Sequence, residues 1–312
     1  MTRSWPILYP HLRKVMLPPK QDIAMPVPNY PYPPFKPQQQ SFPGLTDKMD
    51  PRPDHGEDSY VGHGLLQGKR TLITGGDSGI GAAVAIAYAR EGADVAIAYL
   101  PSEQHDAERI GQLIETAGVR VLLQPCDISD RAQAHRLIET VTGAFGGLDV
   151  LVNNAAYQRY FHSFDEITLD EWEKTFATNV HAVFHLVRLA VPHMPEGGSI
   201  INTASVNSKK PTPNILPYST TKGAVANMTI GLAGMLADKK IRVNAVLPGP
   251  IWTPFIPAGM DEDSVKEFGT QTPFGRPGQP AELASAYVLL AADTSSYTSG
   301  ALLTIAGGAA TL

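Results

Sequence analysis

RTLITGGDSGIGAAVAIAYAR, residues 70–90, decides the fold. Its first five residues are a short apolar run of strand length, and its last nine are rich in alanine and helix-forming. Between them lies TGGDSGIG (74–81), a glycine turn that follows a strand and opens a helix. Gly75 permits the tight turn, Gly79 lets backbone approach a pyrophosphate, and Gly81 allows close helix–strand packing. The helix start then offers free N–H groups and a partial positive charge to an anion. Glycines alone would be a weak signal; the strand before and the helix after make it a phosphate-binding turn.

Working outward, short apolar runs recur downstream: DVAIAY (94–99), VRVLLQP (119–125), LDVLV (148–152), SIINTA (199–204), IRVNAV (241–246) and ALLTIA (301–306). They have the composition of strands buried on both faces. Helix-length segments separate them, at 79–91, 103–117, 130–145, 170–194, 217–237 and 280–292. Strands alternating with helices predict an α/β fold, a doubly wound parallel sheet of about seven strands, over residues 69–312. Residues 1–68 differ: thirteen of the 27 prolines precede Asp54, which rules out helix and central strand there. Trp5, Tyr9, Tyr30, Tyr32, Phe35, Phe42 and Tyr60 are a heavy aromatic load for a purely solvated tail. An extended, polyproline-like arm lying on a folded surface is expected, with residues 20–65 ordered and the first fifteen or so frayed.

The glycines are spaced G-x-x-x-G-x-G, and here the chain resembles the short-chain dehydrogenase/reductase family. The resemblance covers roughly residues 65–308. It is strongest to a branch with a proline-rich N-terminal extension, akin to general stress proteins, glucose/ribitol dehydrogenase-like proteins and aldehyde reductases. NNAA (153–156) follows the fourth strand where the family has N-N-A-G, with Ala156 a small departure. The resemblance implies a nicotinamide dinucleotide held by Gly75, Asp77, Ser78, Gly79, Ile80, Gly81 and Tyr99. Asp127 and Ile128 would meet the adenine, and Asn153 and Ala155 would lie against the cofactor. PGPIWTP (248–254) would hold the nicotinamide end through Pro248, Gly249, Ile251 and Thr253.

YSTTK (218–222) places Tyr218 and Lys222 one helical turn apart on one face. A phenol is a poor base at neutral pH, so a neighbouring ammonium that lowers its pKa would let it exchange a proton with an alcohol or carbonyl oxygen. Alone, Tyr-x-x-x-Lys occurs by chance in many helices. Here Ser205 ends the fifth strand at the family's spacing before Tyr218, where its hydroxyl would meet the substrate oxygen. Asn179, in TNV, matches the family's helix asparagine, whose backbone carbonyl holds a water in a proton relay with the lysine. The implied reaction is hydride transfer between NAD(P)(H) and an aldehyde or ketone, or the corresponding alcohol. A dinucleotide-binding sensor or scaffold without turnover is the rival reading, and it gives no reason for a complete Ser-Tyr-Lys set.

Cofactor choice is equivocal. No Asp or Glu ends the second strand, where Tyr99 and Leu100 stand, and no Arg marks a 2′-phosphate site. Both dinucleotides are therefore expected to bind, NADP(H) narrowly preferred. A net charge of −5 creates no general attraction for nucleic acid. No apolar run spans a bilayer, and prolines interrupt the basic N-terminus, so neither membrane span nor signal peptide is expected. One cysteine, Cys126, permits no internal disulfide, and a cytoplasmic setting follows by default. His181 and His185 have metal-ligand spacing but no accompanying ligands, so no metal is expected. By the resemblance, the helices holding His181 and Tyr218 would pack against symmetry mates in a homotetramer.

Overall fold

Seven parallel strands form one sheet in the order β3-β2-β1-β4-β5-β6-β7. They are β1 (Arg70–Thr74), β2 (Asp94–Tyr99), β3 (Val121–Pro125), β4 (Val150–Asn153), β5 (Ser199–Thr203), β6 (Arg242–Pro248) and β7 (Leu302–Ile305). The computed structural model describes residues 29–309, and from Pro31 onward they form one compact unit. Among the described residues no helix is long and apolar enough to cross a membrane.

Burial explains the composition. β4, β5 and β6 are buried at every position, as strands covered on both faces must be, while the edge strands β3 and β7 are only partly covered. On one face lie α1 (Gly79–Arg90), α2 (Gln104–Thr116) and, from near the end of the chain, α9 (Ala281–Ala291). Ten of the twelve residues of α1 are buried, which is why it reads as apolar all round rather than striped. The other face is covered by α3 (Arg131–Phe145), α5 (Ala182–Ala190) and α6 (Leu216–Met235).

The helix expected at 170–194 is not continuous. It runs as α4 (Leu169–Phe176), then a π turn over Ala177–His181, then α5. Short helices α7 (Phe255–Gly259) and α8 (Glu262–Lys266) fill the segment after β6.

The described part of the proline-rich arm lies along the surface of its own unit. The Phe35 ring stacks on the wholly buried Trp252, centroids 4.1 Å apart, and the Phe35 N–H donates to the Lys266 carbonyl at 2.9 Å. Burying that ring contributes roughly 1.5–3 kcal/mol. Further along, Gln40 N–H donates to Pro257, and Thr46 N–H donates to the Asp106 carboxylate on α2. Tyr60 donates to Glu91 at the end of α1. Trp5, Tyr9 and the first fifteen or so residues, for which fraying is expected, lie outside the described residues.

Candidate active site

The strand order reverses between β1 and β4, and the loops leaving their carboxyl ends part to form a cleft. Its floor is the glycine turn. Gly75 adopts φ +63°, in the left-handed region where a side chain is strained, and a Cβ on Gly81 would sit 1.8 Å from the Gly75 carbonyl oxygen. Ser78 precedes α1 in extended conformation without using its side chain as a cap, so the first-turn N–H groups face the cleft uncapped.

At the end of the cleft beside β2, the wall is made by Asp77, Tyr99, Leu100, Glu103, Asp127 and Ile128. Asp77 is 1% exposed, and neither carboxylate oxygen has a hydrogen-bond partner of normal geometry. Its own N–H and the Ser78 hydroxyl lie near enough to favour the anion, but burial outweighs them and pushes the carboxyl up to about 7. Burial likewise lifts Glu103, with the neighbouring Asp77 charge adding to it, up to about 8. Glu103 belongs to a 3-10 turn, Pro101–Glu103, and accepts from the Leu100 N–H at 2.9 Å. Asp127 turns back on its own loop, accepting from the Ser129 N–H and hydroxyl.

At the other end, β5, α6 and the π turn meet. Ser205 follows β5, and its hydroxyl bonds to the Tyr218 phenol, holding against a rise that burial nonetheless drives up to about 12. The Tyr218 ring keeps some surface, but its hydroxyl is enclosed. Lys222 Nζ donates to the Thr203 carbonyl at 2.6 Å and lies 5.4 Å from the Tyr218 ring centroid. Burial pushes its ammonium down to about 7. The expectation that Lys222 lowers the phenol is thus not met in the chain by itself: desolvation of both groups exceeds their mutual effect. Asn179 sits in the π turn, 1% exposed. Its side chain accepts from Tyr157 N–H at 2.7 Å and donates to the Tyr157 carbonyl and the Thr221 hydroxyl. A π turn loosens the helical ladder, the kind of place where backbone carbonyls are released toward a site.

Twelve expected residues, Gly75, Asp77–Ile80, Tyr99, Asp127, Ile128, Ala155, Tyr218, Lys222 and Thr253, do line this cleft. Others do not. Gly81 is spent on backbone packing. Asn153 points away and donates to Asn202 at 2.9 Å; its neighbour Asn154 lines the cleft instead, tying the β4 loop to the Thr74 and Gly75 carbonyls. The strand alternation that turns Asn153 to the sheet's flank turns Asn154 to its end. Ile251 is packed in the core beneath α1, and Pro248 and Gly249 finish β6 against Ala306, so Pro254 and Phe255 take their place on the wall. Sequence reading missed Glu103 and Lys174, and missed Phe42, Pro43 and Gly44 of the arm, which also line the cleft. Cys126 lines it too, its thiol pushed up to about 11 by burial and so unreactive.

A family model described as enoyl-(acyl carrier protein) reductase matches residues 75–310. NADPH-dependent aldehyde reductase 1 of Arabidopsis thaliana is 44% identical over 88% of this chain and 97% of its own length. The chain belongs to the short-chain dehydrogenase/reductase family. Among solved structures, a short-chain dehydrogenase from Burkholderia cenocepacia in complex with NADP matches with TM-score 0.74 and 36% identity, over 78% of this chain and 98% of that one. A 3-ketoacyl-(acyl-carrier-protein) reductase from Brucella melitensis complexed with NADH matches with TM-score 0.71 and 33% identity, over the same shares. The present family member is accordingly an NAD(P)-dependent oxidoreductase. Its cleft suits such a cofactor on its own evidence: an uncapped helix start above a glycine cradle for the phosphates, and a buried, unpartnered carboxylate for a hydroxyl.

Proposed function

We propose that this chain interconverts an aldehyde or ketone with its alcohol, using Ser205, Tyr218, Lys222 and Asn179. The observation that carries this reading is the enclosed Tyr218 hydroxyl, hydrogen-bonded to Ser205 with Lys222 one turn below it at the cleft wall. The dinucleotide, when bound, gives or takes the hydride. Held up to about 12, the phenol stays protonated at neutral pH and is poised to donate to a carbonyl oxygen as negative charge develops there. The Ser205 hydroxyl stabilises the same oxygen. Lys222 holds the ribose end and, with Asn179 backbone beside it, returns a proton to Tyr218. In the alcohol-oxidising direction Tyr218 first gives its proton up along that relay and then takes the one the alcohol loses as the hydride leaves. The aromatic wall of Phe42, Tyr157 and Phe255, with Lys174 4.1 Å from the Tyr157 centroid, encloses the substrate.

Asp77, Gly79, Ile80, Asp127, Ala155 and Thr253 are proposed to touch the cofactor. The enzyme is proposed to work in the cytoplasm, in keeping with its single buried thiol. It is proposed to assemble as a homotetramer, in keeping with Phe184 and Ile230 exposed on α5 and α6. Tyr218→Phe tests the chemistry: turnover on a panel of aldehydes, ketones and polyols should fall by roughly three powers of ten, with dinucleotide affinity retained. Undiminished turnover would remove Tyr218 from the mechanism.

A further inference from the structure

We propose that Lys174 receives a carboxylate carried by the substrate, so that this enzyme favours an oxo acid over a neutral aldehyde or ketone. The proposal rests on the carbonyl–alcohol reading above and names the substrate class of that same site. Lys174 stands on α4, one turn before Thr178, and both line the cleft. It is exposed, so it marks the mouth of the cleft rather than its floor.

A run of contacts ties Lys174 to the reacting end. Its Nζ lies 4.1 Å from the Tyr157 ring centroid and 5.8 Å from that of Phe42, and those two rings meet edge to face at 4.9 Å. Tyr157 backbone both donates to and accepts from the Asn179 side chain. Two residues beyond Phe42, Gly44 lies against the Pro254 carbonyl, and the adjoining Phe255 ring is 5.8 Å from that of Tyr218. Aromatic faces attract the ammonium but leave its charge unneutralised. Among the described residues no carboxylate comes within ion-pair distance of it. The acid best placed on its own helix, Glu171, is engaged by the Tyr157 hydroxyl and by Arg159, each at 2.9 Å. Lys222, the other cation on the cleft wall, is buried and donates to the Thr203 carbonyl. In a chain of net charge −5, an ammonium left unpaired on the wall of a cleft is a place for an anion brought from outside. With no Arg on that wall, it suits a singly charged carboxylate better than a phosphate, whose second charge would go unmatched. Held there, an oxo acid would lie along Phe42, Tyr157 and Phe255 with its carbonyl turned to Tyr218 and Ser205.

Initial rates of the full chain with ω-oxo carboxylates of about four to eight carbons and with their methyl esters, at saturating NADPH or NADH, test this. The carboxylate of best-fitting length should exceed its ester by about tenfold in kcat/KM, mostly through KM. That advantage should shrink as salt is raised, a measurement that needs no variant. Lys174→Met should bring the ratio close to one, whereas Lys174→Arg, which keeps the charge, should retain most of it. Equal use of acid and ester by the unaltered chain, or a preference that survives in Lys174→Met, overturns the inference and leaves the proposed function standing. A loss of dinucleotide affinity in Lys174→Met that matches the loss in kcat/KM would put the ammonium on the cofactor and overturn it as well. No turnover of any aldehyde, acid or ester, removes the proposed function and this inference with it.

Discussion

Gly81 shows how little tolerance the turn has. Its missing Cβ leaves room for the Gly75 carbonyl and for the Asn154 amide, 2.7 Å from where that carbon would sit. Gly81→Ala must therefore move backbone, and it should cost about 3 kcal/mol in chemical denaturation as well as weaken dinucleotide binding. A midpoint equal to that of the unaltered chain would show that the turn can relax. The raised carboxyls of Asp77 and Glu103 make a second prediction. Both have folded values, about 7 and about 8, above the ordinary carboxylate range, so the folded cofactor-free protein binds protons the unfolded chain releases. Their contribution is whole below the unfolded value near 4 and is lost as pH rises through 7 to 8. Asp77→Asn, which mimics the protonated form, should melt several degrees higher than the unaltered protein at about pH 8.5 and no higher at about pH 3. Parallel melting curves at both pH values would refute the linkage. Such coupling was invisible in the sequence, where Asp77 and Glu103 stand 26 residues apart in different loops.

At the scale of elements, much was legible because periodicity and spacing are local properties. Strand–turn–helix at 70–90 needs only the chain itself, and Tyr218 and Lys222 share a face through helix geometry alone. The π turn was not legible, since one extra residue in a helical turn leaves the apolar pattern nearly intact. What holds it is a tertiary contact, Asn179 to Tyr157 and Thr221. The Glu103 turn carried a faint signal, Pro101 opening a turn with Glu103 three residues after Leu100. Asn179→Ala takes the Asn179 partner from both Tyr157 backbone groups, while the Thr221 hydroxyl still donates to the Tyr218 carbonyl, and should cost about 2 kcal/mol in denaturant. It should also slow turnover through misplaced Lys222 backbone neighbours, while leaving dinucleotide affinity nearly unchanged. Equal losses in affinity and turnover would mean that Asn179 serves the cleft as a whole rather than its catalytic end.

At the scale of the whole molecule, the arm from Pro31 on and the catalytic sheet belong to one compact unit. Composition identified the arm as extended and in need of a surface, but no local rule could say that Phe42, Pro43 and Gly44 would reach the cleft. That depends on Phe35 finding Trp252 and Thr46 finding Asp106, contacts set by the finished fold. Removing residues 1–52 should lower the melting temperature by about 5 °C or more, because Trp252 loses its stacked partner and its Pro51 acceptor. It should also weaken dinucleotide binding, because one wall of the cleft goes with it. A truncated protein matching the full chain in both would make the arm a passenger. Light scattering on the full chain checks assembly, with a tetramer mass expected and a monomer mass contradicting it.

The arm's docking also has a consequence for biosynthesis. Phe35 leaves the ribosome early, yet its partners Trp252 and Lys266 are made more than two hundred residues later. At about 5–20 residues per second, that is a wait of roughly 10 to 40 seconds with an aromatic, proline-rich segment unpartnered. The wall that Phe42–Gly44 contributes is thus the last part of the cleft to be built, although it is among the first to be translated. A nascent chain stopped short of Lys266 would carry the glycine turn, Tyr218 and Lys222 in a cleft still open on the arm's side.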